Sequence, residues 1–157
     1  MVFGNSGAGK TTYAKAQAAK LQCAHMDLDT VAWTAGAESP TRRPIQKSSA
    51  EICSFIESHE SWVVEGCYAN LLEIAIAQAS EVVFLNPGVD VCIENARKRP
   101  WEPHKYDSKA AQDANLGMLI EWIKQYDSRN DEFSLAAHRR LFDGFSGAKQ
   151  EHLSNAH

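Results

Sequence analysis

Long hydrophobic runs are missing: no stretch approaches the ~18 apolar residues that a membrane-spanning helix requires, and no secretory signal pattern opens the chain. A soluble protein of the cytoplasm is the expectation. Basic charge is in short supply as well, with 16 Lys and Arg against 20 Asp and Glu and a formal net charge of -4. That balance excludes a general electrostatic pull toward nucleic acid or an anionic membrane, and no stripe of interleaved aromatic and basic residues offsets it. Neither is an expected partner. Cysteine pairing is absent too: Cys23, Cys53, Cys67 and Cys92 are widely spaced and form no C-x-x-C. A disulfide framework is excluded, and the thiols are expected to be reduced and mostly buried. His25, His59 and His138 lack metal-ligand spacing, so they read as structural or surface residues and no zinc site is expected. No internal repeat or low-complexity tract interrupts the chain.

What is present suits one core. The 157 residues are 44% hydrophobic, enough for a single compact domain and too few for two of ordinary size. Met1-Val2-Phe3 is a short apolar strand; either the natural start lies upstream or the strand is brief. Residues 11–21 are alanine-rich and helical, with Ala14, Ala18 and Leu21 as core candidates. A second strand runs from Cys23 to Leu28, and residues 30–44 read as a long surface segment. Ser48 and Glu51 have capping-box spacing, with Ile52, Phe55 and Ile56 forming the apolar face of a helix that ends near Ser58.

Trp62-Val63-Val64-Glu65 is the next strand, and a helix over residues 70–78 presents Leu71, Leu72, Ala75 and Ile76. Val82-Val83-Phe84-Leu85 is the clearest strand, stopped by Asn86-Pro87-Gly88 before a helix over residues 89–98. Leu116, Leu119, Ile120 and Ile123 mark a further amphipathic helix, and residues 133–142 another. Alternating strands and helices predict an α/β fold of three α/β/α layers around a short parallel sheet, with a helical C-terminal region. About four strands are evident, with a fifth left open, and none is found in residues 100–157. The domain is expected over residues 1–143, and residues 144–157 are expected to be an irregular polar tail.

The chemistry concentrates in Gly4-Asn5-Ser6-Gly7-Ala8-Gly9-Lys10-Thr11, which satisfies G-x-x-x-x-G-K-[ST] between a strand and a helix. In such a P-loop, backbone N–H groups and the positive end of the helix dipole converge on phosphate. Lys10 would reach the β- and γ-phosphates, and Thr11 would set its hydroxyl on Mg²⁺. Thr12 completes the expected cofactor-binding set. Magnesium keeps an octahedral oxygen shell and wants a carboxylate. Asp27, Asp29 and Glu65 each follow a short strand, which in a parallel sheet puts them on the edge carrying the loop. Each is otherwise a solvated or capping acid.

These residues resemble the P-loop small-molecule kinases of the adenylate kinase and shikimate kinase type, and more closely the DNA topology modulation protein group of kinase-like ATPases. The likeness spans about residues 1–125. Residues 4–12 followed by Asp27-Leu28-Asp29 are similar to shikimate kinase, which implies ATP on the loop, metal at Asp27 and the acceptor at Asp29. Trp62-Val63-Val64-Glu65-Gly66-Cys67-Tyr68 resembles the W-[IV]-[IV]-[DE]-G-x-Y stretch of the topology-modulation group. By analogy with adenylate kinase, Glu65 would support the magnesium water shell, although no arginine follows it here. The family adds a fifth strand whose loop holds the base, and this sequence shows no sign of one. Residues 97–110 stand in the place of the kinase lid, with Arg97 and Arg99 as phosphoryl-closing candidates. They equally suit the C-terminal end of a helix dipole. Arg42 and Arg43 lie where such kinases bind an acceptor, with Glu65 and Tyr68 beside Asp29 in that set; an anionic small molecule would suit them. Trp101, His104 and Tyr106 are secondary candidates.

The expected function is ATP- and Mg²⁺-dependent phosphoryl transfer to a small molecule, with Lys10, Asp29, Arg97 and Arg99 as catalytic residues. The alternative is a nucleotide-binding regulator or slow NTPase without an acceptor.

Overall fold

A computed structural model describes residues 1–34, 41–103 and 106–155. Its strands are β1 Val2–Gly4, β2 Ala24–Asp27, β3 Trp62–Gly66, β4 Glu81–Leu85 and β5 Ala148–His152. Its helices are α1 Lys10–Leu21, α2 Asp29–Ala32, α3 Ile45–Glu57, α4 Ala69–Ile76, α5 Val89–Lys98, α6 Lys109–Lys124 and α7 Leu135–Gly144. The strands form one five-stranded sheet in the order β2-β3-β1-β4-β5, parallel throughout.

Strand alternation divides the core in two. Phe3, Val64, Val82 and Phe84 face one way, against Ile52 and Ile56 of α3, Leu71 and Leu72 of α4 and Leu141 of α7. Val2, Val63, Val83 and Leu85 face the other, against Ala14 and Ala18 of α1, Cys92, Ile93 and Ala96 of α5 and Ile123 of α6. Successive side chains of a strand point to opposite faces, so a sheet covered on both sides needs apolar residues at every position. β3 and β4 supply that run. This is the three-layer α/β/α arrangement of P-loop-type folds. Among the described residues, no helix is long and apolar enough to cross a membrane.

Several expectations need correction. The polar tail contains a strand: residues 148–152 pair in register with β4, Glu81 against Ala148 through Leu85 against His152. Helix α3 starts at Ile45, directly after Pro44, not at a box built on Ser48. Proline fixes its own φ and opens the helix there. The buried Ser48 hydroxyl instead donates to the Val31 carbonyl at 2.8 Å, and Glu51 pairs with Arg43. The surface segment also begins with a helical turn, α2, and Trp33 forms an isolated antiparallel bridge with Arg42. Leu21 is exposed, not core, and of the cysteines Cys92 alone is fully buried.

Candidate functional site

The glycine loop leaves β1 at the centre of the sheet and enters α1 at Lys10. Gly7 and Gly9 have φ of 78° and 86°, a left-handed backbone that side-chain-bearing residues adopt at a cost. At Gly7 a Cβ would also run into the Cys92 carbonyl, so α5 and the loop meet backbone to backbone. Asn95 of α5 fastens this contact by donating to the Gly7 carbonyl at 2.9 Å. The buried Asn5 donates to the Ile123 carbonyl at 3.2 Å, tying the loop to the end of α6.

Inside the loop the Ala8 N–H closes a turn on the Asn5 carbonyl at 3.2 Å. Lys10 folds back over it, its Nζ donating to the same carbonyl at 2.8 Å. Gly9 is the N-cap of α1, no side chain caps the helix, and its first turn carries no acidic residue. Among the described residues the N–H groups of Gly9, Lys10, Thr11 and Thr12 donate to no protein atom. A helix start with unmatched donors beside a lysine offers the donors and positive charge that an anion site requires.

The parallel sheet brings the acids to this same edge. Asp27 ends β2 and is in register with Glu65 of β3, which is itself in register with Val2. Glu65 is 1% exposed, and its Oε1 has no hydrogen-bond partner. The nearest cation-forming group, His25 Nε2, stands 3.7 Å away, beyond hydrogen-bond reach. His25 Nε2 is likewise buried without a hydrogen-bond partner, so each group leaves a polar atom unmatched beside the other. The Asp29 N–H donates to Asp27 Oδ1 at 2.9 Å, so the two acids share one turn. Beyond β3, burial pushes the Cys67 thiol up to about 11; Lys10 opposes the rise, and Asp29, Glu65 and Asp27 add to it. All four side chains therefore lie within electrostatic reach of the Cys67 thiol.

Arg42 and Arg43 part company. Arg43 is tied at the surface to Glu51 of α3. Arg42 turns inward, its guanidinium 4.6 Å from the Tyr68 ring centroid, 5.4 Å from Trp33 and 5.7 Å from Phe133, with Glu132 at 3.7 Å. Tyr68 is 3% exposed, and its hydroxyl donates to Asp29 Oδ1 at 2.6 Å while accepting the Trp33 indole N–H at 2.7 Å. Tyr68 is thus engaged in the interior by Asp29 and Trp33.

Arg97 and Arg99 sit at the far end of α5. Arg99 pairs with Glu102 at 3.0 Å, and Gln112 of α6 pins the segment by bonding both the Glu102 N–H and the Pro100 carbonyl. Among the described residues no hydrogen bond or ion pair joins either arginine to the loop. Trp101 donates to the Tyr106 carbonyl at 3.1 Å. His104 lies outside the described residues.

Sequence reasoning missed Trp33, Glu132 and Arg129. Arg129 stacks 3.6 Å over Trp122 and 5.2 Å from Phe133, and pairs with Asp131. None of these belongs to a spaced motif; the partners of Trp33 and Glu132 lie far along the chain, and the local contacts of Arg129 with Trp122, Asp131 and Phe133 follow no pattern that singles it out. The sheet order and the loop entering α1 together define a P-loop-type α/β domain. The chain matches no protein-family model, and no curated protein matches it.

Proposed function

We propose that this chain is a P-loop phosphotransferase that moves the γ-phosphoryl group of ATP, or another nucleoside triphosphate, to a small-molecule acceptor with Mg²⁺. The observation carrying this reading is the uncapped head of α1, whose unmatched N–H groups lie beside Lys10 and below glycines in left-handed conformation. Magnesium, when bound, neutralises charge on the β- and γ-phosphates. Thr11 in the first turn of α1 and the carboxylates of Asp27 and Glu65 are the residues suited to hold it; Oε1 of Glu65, which accepts no hydrogen bond, supports that fit. Asp29 takes the acceptor side, where it accepts a proton from the attacking hydroxyl. Lys10 moves from the Asn5 carbonyl to the phosphates.

The resemblance of residues 4–12, Asp27-Leu28-Asp29 and residues 62–68 to small-molecule kinases, and most closely to the topology-modulation group, supports the same assignment. The regulator or slow-NTPase alternative rested on the lack of a fifth strand and of a recognisable acceptor signature in the sequence; β5 supplies the strand, and the acceptor signature is still lacking.

Calorimetry of the folded protein with Mg²⁺ and a panel of purine and pyrimidine triphosphates tests the binding half. Heat is expected for at least one nucleotide, and its complete absence would overturn the proposal. The transfer half is tested by ATP consumption against a metabolite panel. A phosphotransferase accelerates with a particular acceptor and loses turnover in Lys10→Ala with its fold intact. Slow hydrolysis indifferent to every acceptor favours the regulator.

A further inference from the structure

The structure assigns to Tyr68, with Trp33 behind it, the task of positioning Asp29 toward the attacking oxygen, an inference that rests on the phosphotransferase reading above. The direction of the chain follows from its chemistry. An indole N–H can only donate and an ionised carboxylate can only accept. Trp33 Nε1 therefore donates to the Tyr68 oxygen at 2.7 Å, and the Tyr68 hydroxyl donates its proton to Asp29 Oδ1 at 2.6 Å. Burial, reinforced by Cys67 and Asp29, drives the phenol far above its ordinary range and keeps it a donor.

The arrangement answers a structural need. Asp29 opens α2, a helix of 4 residues, and Trp33 is its C-cap. A single turn this short does not hold itself together in water. Asp29 and Trp33 are four positions apart and so lie on one face of the turn. Tyr68, arriving from beyond β3, binds both and staples the turn to the sheet edge. The ring is fixed in its own right: Phe133 meets it edge-on at 5.3 Å, and the Arg42 guanidinium covers it at 4.6 Å. Tyr68 thus transmits the rigidity of the core to a carboxylate on a marginal helix.

In the reaction, the attacking oxygen forms a bond to the γ-phosphorus as the bond from that phosphorus to the β–γ bridging oxygen breaks. Its proton goes to Asp29 and then to solvent. With water as the attacking group, the products are ADP and inorganic phosphate. Tyr68 keeps its proton throughout and touches no reacting atom.

The test uses Mg·ATP with water as acceptor, on the whole chain, with circular dichroism confirming the fold of every variant. Asp29→Asn is expected to slow turnover by about 100-fold. Tyr68→Phe is expected to slow it by about tenfold, with calorimetric affinity for Mg·ATP kept within about twofold. Trp33→Phe, which removes only the outer, partly exposed donor, is expected to cost about threefold. Combined with Asp29→Asn, Tyr68→Phe should cause no further loss, because its effect runs through Asp29. A second readout is independent of turnover: the indole N–H resonance of Trp33, assigned by its disappearance in Trp33→Phe, should shift in Tyr68→Phe and less in Asp29→Asn. Full turnover in Tyr68→Phe, or the same factor lost with and without Asp29, overturns the inference. So does a parent protein that binds Mg·ATP without hydrolysing it. A parent that fails to bind Mg·ATP overturns the phosphotransferase reading and takes this inference with it.

Discussion

His138 has no exposed surface, and both its ring nitrogens are engaged. Nε2 lies 3.0 Å from the Cys67 carbonyl, which can only accept, so Nε2 carries the proton. Nδ1, 2.8 Å from the Tyr126 hydroxyl, is then the acceptor. This neutral tautomer joins α7 to the segment that follows β3, immediately before Tyr68. Burial lowers its pKa to about 4 from the ordinary 6.5, partly offset by the Cys67 carbonyl and helped by the charge on Lys10. Between those values the unfolded chain binds the proton and the folded chain does not, so stability falls as pH drops through 6.5 toward 4. The loss from pH 7 to pH 5 is about 2 kcal/mol from this residue. Urea unfolding of the parent and of His138→Gln at both pH values measures it: the glutamine variant, less stable at pH 7, should show a smaller loss on acidification. An equal loss in both would place the acid sensitivity elsewhere.

At the scale of the element, the legible parts were those whose own residues state their environment. β3 and β4 are continuous apolar runs because both faces are covered, and α1, α4 and α5 announce themselves by period and by the glycine or proline before them. β5 gives no such signal. It lies at the sheet edge, its first three residues are exposed, and Ala148-Lys149-Gln150-Glu151-His152 alternates nothing apolar. Its side chains find partners the sequence does not reveal. Glu151 receives both terminal nitrogens of Arg139, at 2.9 and 2.6 Å, and Asn86 at 3.1 Å. Gln150 donates to Glu81, and Lys149 reaches the Phe142 carbonyl. Ser48 shows the converse failure. It carries a valid local signal for a helix start, yet Pro44 opens the helix earlier and the hydroxyl serves a tertiary contact. The ionic clasp on Glu151 gives a prediction. Glu151→Ala should cost about 1 kcal/mol, the range for a bidentate pair that solvent still reaches. Amide hydrogen exchange should accelerate across β5 and leave β1 and β3 unchanged; uniform acceleration would show that the clasp does not act locally.

For the whole molecule, the parallel sheet converts residues distant in sequence into one edge: the loop after β1, Asp27 and Asp29 after β2, Glu65 and Tyr68 around the end of β3. The half of the candidate site carried by the loop was readable because its residues are contiguous in sequence. Around Asp29, Tyr68 and Arg42 were named from the sequence but Trp33 and Glu132 were not, since their contacts with Tyr68 and Arg42 close only in three dimensions. A ligand that engages this edge binds elements which separate on unfolding, so it stabilises the folded chain as a whole. At about 100 times its dissociation constant, Mg·ATP should add about 2.7 kcal/mol, raising the melting midpoint by about 5–10 °C for a domain of this size. Lys10→Ala should keep a normal midpoint without ligand and lose most of the increment, because it removes a phosphate contact and leaves the core intact. Chelating Mg²⁺ should shrink the increment in the parent protein, since the triphosphate then brings its full negative charge to an edge already holding Asp27, Asp29 and Glu65. A midpoint in the parent that ignores millimolar Mg·ATP, or an increment of the same size in Lys10→Ala, would mean that the head of α1 is not where the nucleotide binds.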